Sequence, residues 1–152
     1  MQSNVVFMIN IKDEKRLERS KPYDYSVKSW EKWCEKNNCE LFILDEYLYE
    51  PDYLIPNWYK LYVFDLLENE GVDYDQIAVV DADTIVHPDC PNFFEMSEHK
   101  FCAVHNDGSY DWVCRSLENY SKHVFNNFTF PVWEYINSGF LVLNKKHKQL
   151  YK

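Results

Sequence analysis

Ile77-Ala78-Val79-Val80-Asp81-Ala82-Asp83-Thr84-Ile85-Val86 is the stretch on which the reading of this chain turns. Four small or β-branched apolar residues lead into two carboxylates one alanine apart, and apolar residues then resume. A continuous apolar run of this length predicts a strand buried on both faces, as in the interior of a parallel sheet. Asp81 and Asp83 then stand at its carboxyl end, where open α/β sheets place their ligands. If the backbone stays extended, alternation points both side chains the same way. Two carboxylates aimed at one spot repel unless a proton or a cation lies between them. Their oxygens suit Mg²⁺ or Mn²⁺, with a phosphate completing the shell. The plain alternative is an acidic turn closing a strand, which needs no ligand.

Upstream, Asn4 to Ile11 is a first buried strand, followed by the charge-dense segment Lys12 to Lys21. Val27, Trp30, Trp33 and Cys34 fall on one helical stripe between Asp24 and Asn38, and Asn37-Asn38 supplies the stop. Glu40 to Tyr47 returns to strand, so the order is β-α-β, with a right-handed crossover and parallel pairing. Pro56 opens a further helix, with Tyr59, Tyr62, Val63, Leu66 and Leu67 in register and Gly71 at its end. Trp58, Leu61 and Phe64 predict burial on more than one side. Lys60 sits among these rings and is the only Lys or Arg between Lys36 and Lys100. It either covers an aromatic face with its stem or serves an anion near the acidic strand. Downstream come a proline-marked loop (His87 to Pro91) and one helical turn at Asn92 to Met96. A strand at Phe101 to Val104, a helix carrying Val113, Leu117, Tyr120 and Val124, and a last strand within Tyr135 to Asn144 follow. Asn137-Ser138-Gly139 interrupts the start of that strand, and Lys145 to Lys152 begins another helix.

The totals set limits. One domain of 152 residues with 18% aromatics has ample material for a core. A net charge of −9 argues against nucleic-acid binding, which needs a basic face. An anionic substrate needs a metal or a local cation to invert the field. Three glycines (Gly71, Gly108, Gly139) cannot build a G-x-G-x-x-G turn or a Walker loop. The five cysteines show no C-x-x-C pair and read as reduced thiols of a cytoplasmic protein. No apolar run reaches membrane-spanning length.

IAVVDADTIVHPDCPNFFEM resembles the D-x-D strand and following loop of GT-A-fold glycosyltransferases, above all family 8 (the glycogenin-type enzymes) and related galactosyl- and mannosyltransferases. NWYKLYVFDLL, ahead of it, resembles the family helix whose basic residue reaches the donor phosphate. YINSGFLVLN, after it, resembles the strand lining the donor-sugar pocket. The resemblance covers nearly the whole chain. It implies a single nucleotide-sugar-binding domain over residues 1–152, Rossmann-like, with a mainly parallel twisted sheet and helices on both faces. It implies transfer of a hexose from a UDP-sugar to a glycan, protein or lipid acceptor, with retention of configuration and with Mn²⁺ or Mg²⁺ as cofactor. Asp83 would bind the metal. Asp81 would reach metal and ribose, with Ala82 between them against the nucleotide. Lys60 would meet the phosphates, Ile9 and Asn10 the nucleoside, and Asn137, Ser138 and Gly139 the sugar. Asn106 or Asp107 would stand where the family often has an aspartate at the reacting sugars, so these two are the catalytic candidates.

The chain departs from the family in one respect. A third metal ligand, a histidine, lies beyond the N-S-G strand in family 8, together with the acceptor region. The five histidines here (His87, His99, His105, His123, His147) fall elsewhere. This predicts a chain truncated at its C-terminus, or one completed by a partner or by self-association through exposed apolar surface. Two other functions fit the same residues: a nucleotide-sugar-binding or assembly subunit without turnover, and a haloacid-dehalogenase-like phosphatase. The phosphatase pattern wants Thr or Val where Ile85 stands.

Overall fold

The computed structural model describes residues 3–12, 17–106 and 108–151. Strands β1 (Asn4–Ile9), β2 (Glu40–Leu44), β3 (Gln76–Asp81), β4 (Cys102–His105) and β5 (Ile136–Asn144) form a five-stranded sheet in the order β2-β1-β3-β5-β4. β1 pairs parallel with β2 and β3, and β5 runs antiparallel to β3. The sheet is therefore mixed, with β2, β1 and β3 parallel, and the α/β architecture expected from the sequence is the one observed. The chain divides into two compact units, Met1–Cys102 with Gly139–Lys152, and Ala103–Ser138.

In the first unit β1 is the axis. Val5, Val6, Phe7 and Met8 have no exposed surface, and each contributes roughly 1.5–3 kcal/mol by leaving water. The pleat divides them between two faces. Val6 and Met8 join Ala78, Val80 and Val142 against Trp30, Trp33 and Cys34 of α2 (Tyr23–Asn37) and Phe94 of α4 (Phe93–Met96). Trp33 stacks flat on Phe93 with ring centroids 4.2 Å apart, and its indole N–H donates to the Cys90 carbonyl at 3.1 Å. On the opposite face lie Val5, Phe7, Ile77, Val79, Leu141 and Leu143, all buried, and there a 3₁₀ helix (Pro56–Tyr62) touches β1. That helix passes directly into α3 (Val63–Asn69). Helical segments thus cover both faces. A short α1 (Leu17–Ser20) precedes α2.

Helix ends follow local chemistry. α2 stops at Asn38, whose φ of 54° is left-handed and whose N–H reaches back to Cys34 and Glu35 carbonyls. Gly71 takes φ +70° after α3, a conformation that costs glycine little. In the second unit α5 (Tyr110–His123) is capped by Ser109, whose hydroxyl accepts from the Trp112 N–H at 3.2 Å. Val113 and Leu117 are its buried residues, and Trp112 meets Tyr135 edge to face at 6.0 Å.

Three sequence expectations are corrected. The stripe drawn from Pro56 to Leu67 assumed one α-helix, but the first seven residues are 3₁₀, with three residues per turn. The change of pitch shifts the phase, so Phe64 is buried while Trp58, Leu61 and Tyr62 are exposed. β5 runs unbroken through Asn137-Ser138-Gly139. The tail Lys145–Tyr151 is 3₁₀.

Candidate functional site

The strand order itself locates a ligand site. Chain connections leave β1 toward β2 on one side and arrive at β3 on the other, so the carboxyl ends of β1 and β3 flank a switch point of the sheet. Ile9 and Asp81 are register partners at those ends. A cavity of about 370 Å³ opens there, within the size range of small-molecule sites. It is lined by Ile9, Asn10 and Ile11, by Tyr23 from the start of α2, and by Pro56, Asn57 and Lys60 from the 3₁₀ helix. Asp81, Ala82 and Asp83 complete it.

β3 ends at Asp81, and Ala82 and Asp83 belong to a turn, so the extended continuation considered from the sequence is not adopted. The Thr84 N–H closes that turn on the Asp81 carbonyl at 3.1 Å, and the Thr84 hydroxyl donates to the same oxygen at 2.6 Å. The Trp30 indole N–H then donates to the Thr84 hydroxyl at 3.2 Å, and the Val86 N–H donates to the Ser29 hydroxyl at 3.2 Å. Helix α2 therefore braces the loop that presents both carboxylates. Asp83 is exposed, while the Asp81 side chain is 43% exposed.

Lys60 answers the acidic pair. Its ammonium lies 2.7 Å from Asp81 Oδ1, and its side chain is only 12% exposed. The 3₁₀ pitch makes this arrangement: residues three apart eclipse, so Asn57 and Lys60 line the same wall. Tyr59, on another side of that helix, is fully buried, its hydroxyl donating to the Tyr49 carbonyl at 3.1 Å. This anchors the helix that carries Lys60.

Asn10 closes the end of β1. Its N–H donates to the Leu44 carbonyl at 2.9 Å, which fixes the backbone. The side chain is 7% exposed, and its Oδ1 is buried without a hydrogen-bond partner among the described residues. A buried acceptor left unpaired costs on the order of 1–3 kcal/mol, which a bound donor would recover.

Comparison with solved structures decides what kind of fold surrounds this cavity. A crystal structure of a glycosyltransferase involved in the glycosylation of the major capsid of PBCV-1 superposes with a TM-score of 0.64 at 10% sequence identity. The superposition covers 97% of this chain and 62% of that one. The fold is GT-A-like. At this identity the likeness concerns the fold alone, and the chain spans less than two thirds of that structure's length. No protein-family model matches the chain, and no curated protein is significantly similar to it.

The GT-A-like frame brings Ile9, Asn10, Lys60, Asp81, Ala82 and Asp83 onto one cavity wall system, six positions singled out from sequence. Asn137 and Ser138 are exposed on β5 in the second unit, and Gly139 is buried on β5 in the first. Asn106 uses its side-chain oxygen to accept from the Gly108 N–H at 3.0 Å, and its own N–H donates to the Tyr135 carbonyl. Asp107, the other catalytic candidate, lies outside the described residues. Sequence reasoning missed Tyr23, Asn57, Thr84, Trp30 and Ser29. Asn57 had a usable signal, since it stands three residues before Lys60; the bracing residues had none.

For a cation, the donor set is two carboxylates plus hard oxygens. Among the described residues no group of three His, Cys, Asp or Glu side chains converges. Oxygen donors fit Mg²⁺ or Mn²⁺ when water and phosphate supply the remaining positions. No helix of the described structure is long and apolar enough to cross a membrane.

Proposed function

We propose that this chain is a metal-dependent glycosyltransferase that takes a hexose from a nucleotide sugar, a UDP-sugar by resemblance to family 8, with retention of configuration. The single observation that carries the reading is the cavity at the β1/β3 switch point, where two aspartates, one lysine and an unpaired buried amide share a wall. A polypeptide of net charge −9 repels a diphosphate unless local charge is inverted. Asp81 and Asp83 would hold Mn²⁺ or Mg²⁺, which supplies Lewis-acid stabilisation of the departing nucleoside diphosphate.

The residues of the chain do the rest. Lys60 adds a fixed positive charge at the phosphate end, positioned by its 3₁₀ helix and needing little reorganisation. Asn10 offers an oriented acceptor for a donor group of the nucleoside, and Ile9 and Ala82 exclude water from its flank. The Trp30–Thr84–Asp81 hydrogen bonds fix the backbone of the turn that carries both carboxylates. Asn137, Ser138 and Gly139 are proposed for the sugar, and Asn106 or Asp107 for the reacting centre, on the resemblance alone.

A second reading is binding without transfer. It is favoured by the pair of carboxylates that no third side-chain ligand joins among the described residues. Isothermal titration with UDP, with and without Mn²⁺, on wild type and Asp83→Ala tests the shared premise. Metal-dependent binding lost in the variant is expected; equal affinity in all four titrations would remove both readings. Release of UDP from UDP-glucose in the presence of Mn²⁺ then separates enzyme from binder.

A further inference from the structure

A second cavity, of about 480 Å³, lies along α2 and shares no lining residue with the first. Its floor is apolar: Trp33 and Val86 are buried, and Pro88 adds a ring. Its rim carries Lys28, Lys32 and Lys36, four residues apart, so their backbone positions follow one helix edge at a rise of about 6 Å each. Lys36 is tied down by donating to the Pro88 carbonyl at 2.8 Å. Lys28 and Lys32 form no ion pair among the described residues. Glu31 and Glu35 occupy the neighbouring row of the helix and are not part of the lining. Ile85 and Tyr25 close the groove, 71% and 70% exposed.

These features point one way. Three lysines stand in a row on one helix edge of an otherwise acidic chain, and beside them a large aliphatic residue and a tyrosine are mostly exposed. An acidic peptide would use the lysines but leave Ile85 and the Trp33 floor unexplained. A neutral apolar ligand would leave the lysines idle. A phosphate head joined to an apolar body satisfies both. We infer that this groove docks the chain on an anionic phospholipid surface. Lys28 and Lys32 meet headgroup phosphates, while Ile85 and Tyr25 enter the boundary between headgroups and acyl chains. The net charge does not forbid this, because at physiological ionic strength only charges within about 8 Å of the surface are felt strongly. The proposal does not rest on sugar transfer, since no residue of the Asp81–Asp83 cavity takes part.

Sedimentation of the full chain with vesicles tests it. Vesicles of phosphatidylcholine mixed with phosphatidylglycerol are expected to carry the protein down, and pure phosphatidylcholine vesicles are not. The double variant Lys28→Gln with Lys32→Gln is expected to weaken partitioning roughly 30-fold, about fivefold per lysine. Ile85→Ser should weaken it roughly tenfold without altering its dependence on salt. Lys100→Gln, an exposed lysine outside the groove, should change nothing and controls for general charge. Equal partitioning to both vesicle types would overturn the inference, as would binding unaffected by the double variant or equally weakened by Lys100→Gln. Sedimentation abolished by soluble glycerol phosphate would also overturn it, since the groove would then be a site for a free anion.

Discussion

Two cavities share the turn that follows β3, and they differ in sign. Asp83 lines one and Ile85 the other, two residues further on. The first is acidic with a single lysine, so on the proposed reading an anion would enter it only in company with a cation. The second carries three lysines over an apolar floor and, on the inference above, would take an anion directly. Net charge is therefore a poor guide to what this molecule binds, because the field that a ligand meets is set by the few groups within reach. Both cavities lean on α2, which braces the turn through Trp30 and Ser29 and carries the lysine row.

The comparison breaks first at Asp81. Asp81→Ala removes a proposed metal donor and the partner of Lys60 together, and should lower the affinity for UDP with Mn²⁺ roughly 100-fold, about 3 kcal/mol. Vesicle binding measured on the same variant should be unchanged. Next is the shared turn. Thr84→Val deletes the hydroxyl between Trp30 and the Asp81 carbonyl and strands a buried indole N–H. Urea unfolding should show a loss of about 1–3 kcal/mol, and an unchanged midpoint would mean that the turn does not depend on α2. Lys60→Met should weaken UDP roughly tenfold by removing a charge-assisted contact, whereas a tightening would mark Lys60 as a competitor for Asp81.

The last test concerns the body of α2. Burial, aided by the neighbouring Cys39 thiol, pushes the Cys34 thiol up to about 12, and burial pushes Cys39 up to about 11. The folded state then keeps protons that the unfolded state gives up above about pH 9, so stability present below that pH is lost as pH rises toward 12. Cys34 alone contributes a slope of up to about 1.4 kcal/mol per pH unit. The stability gap between wild type and Cys34→Ala should narrow across this window, and a constant gap would deny the shift.

Much of the fold was readable because fully buried strands carry their signal locally. NVVFMI and QIAVVD announce themselves without reference to partners, and Asn38 and Gly71 stop helices by their own backbone preferences. The acidic pair and Lys60 were also legible, as charges out of place among apolar residues. The 3₁₀ character of Pro56–Tyr62 was not, since its aromatic spacing fits an α-helix nearly as well. The brace was not legible either, because tryptophan and threonine carry no mark of a hydrogen bond across 54 residues.

By itself, the sequence determined which segments are strands, that the molecule has a core rich in rings, and that one carboxylate closes the strand at residues 76–81 with a second two residues on. Those properties depend on local apolarity and charge, which the chain states outright. Only the tertiary structure decided that Ile9 lies beside Asp81, that Lys60 reaches the same carboxylate, and that the row of lysines shares a groove with Ile85. Such meetings depend on strand order and on how helices settle over the sheet, and many distant contacts fix these together where no short pattern can.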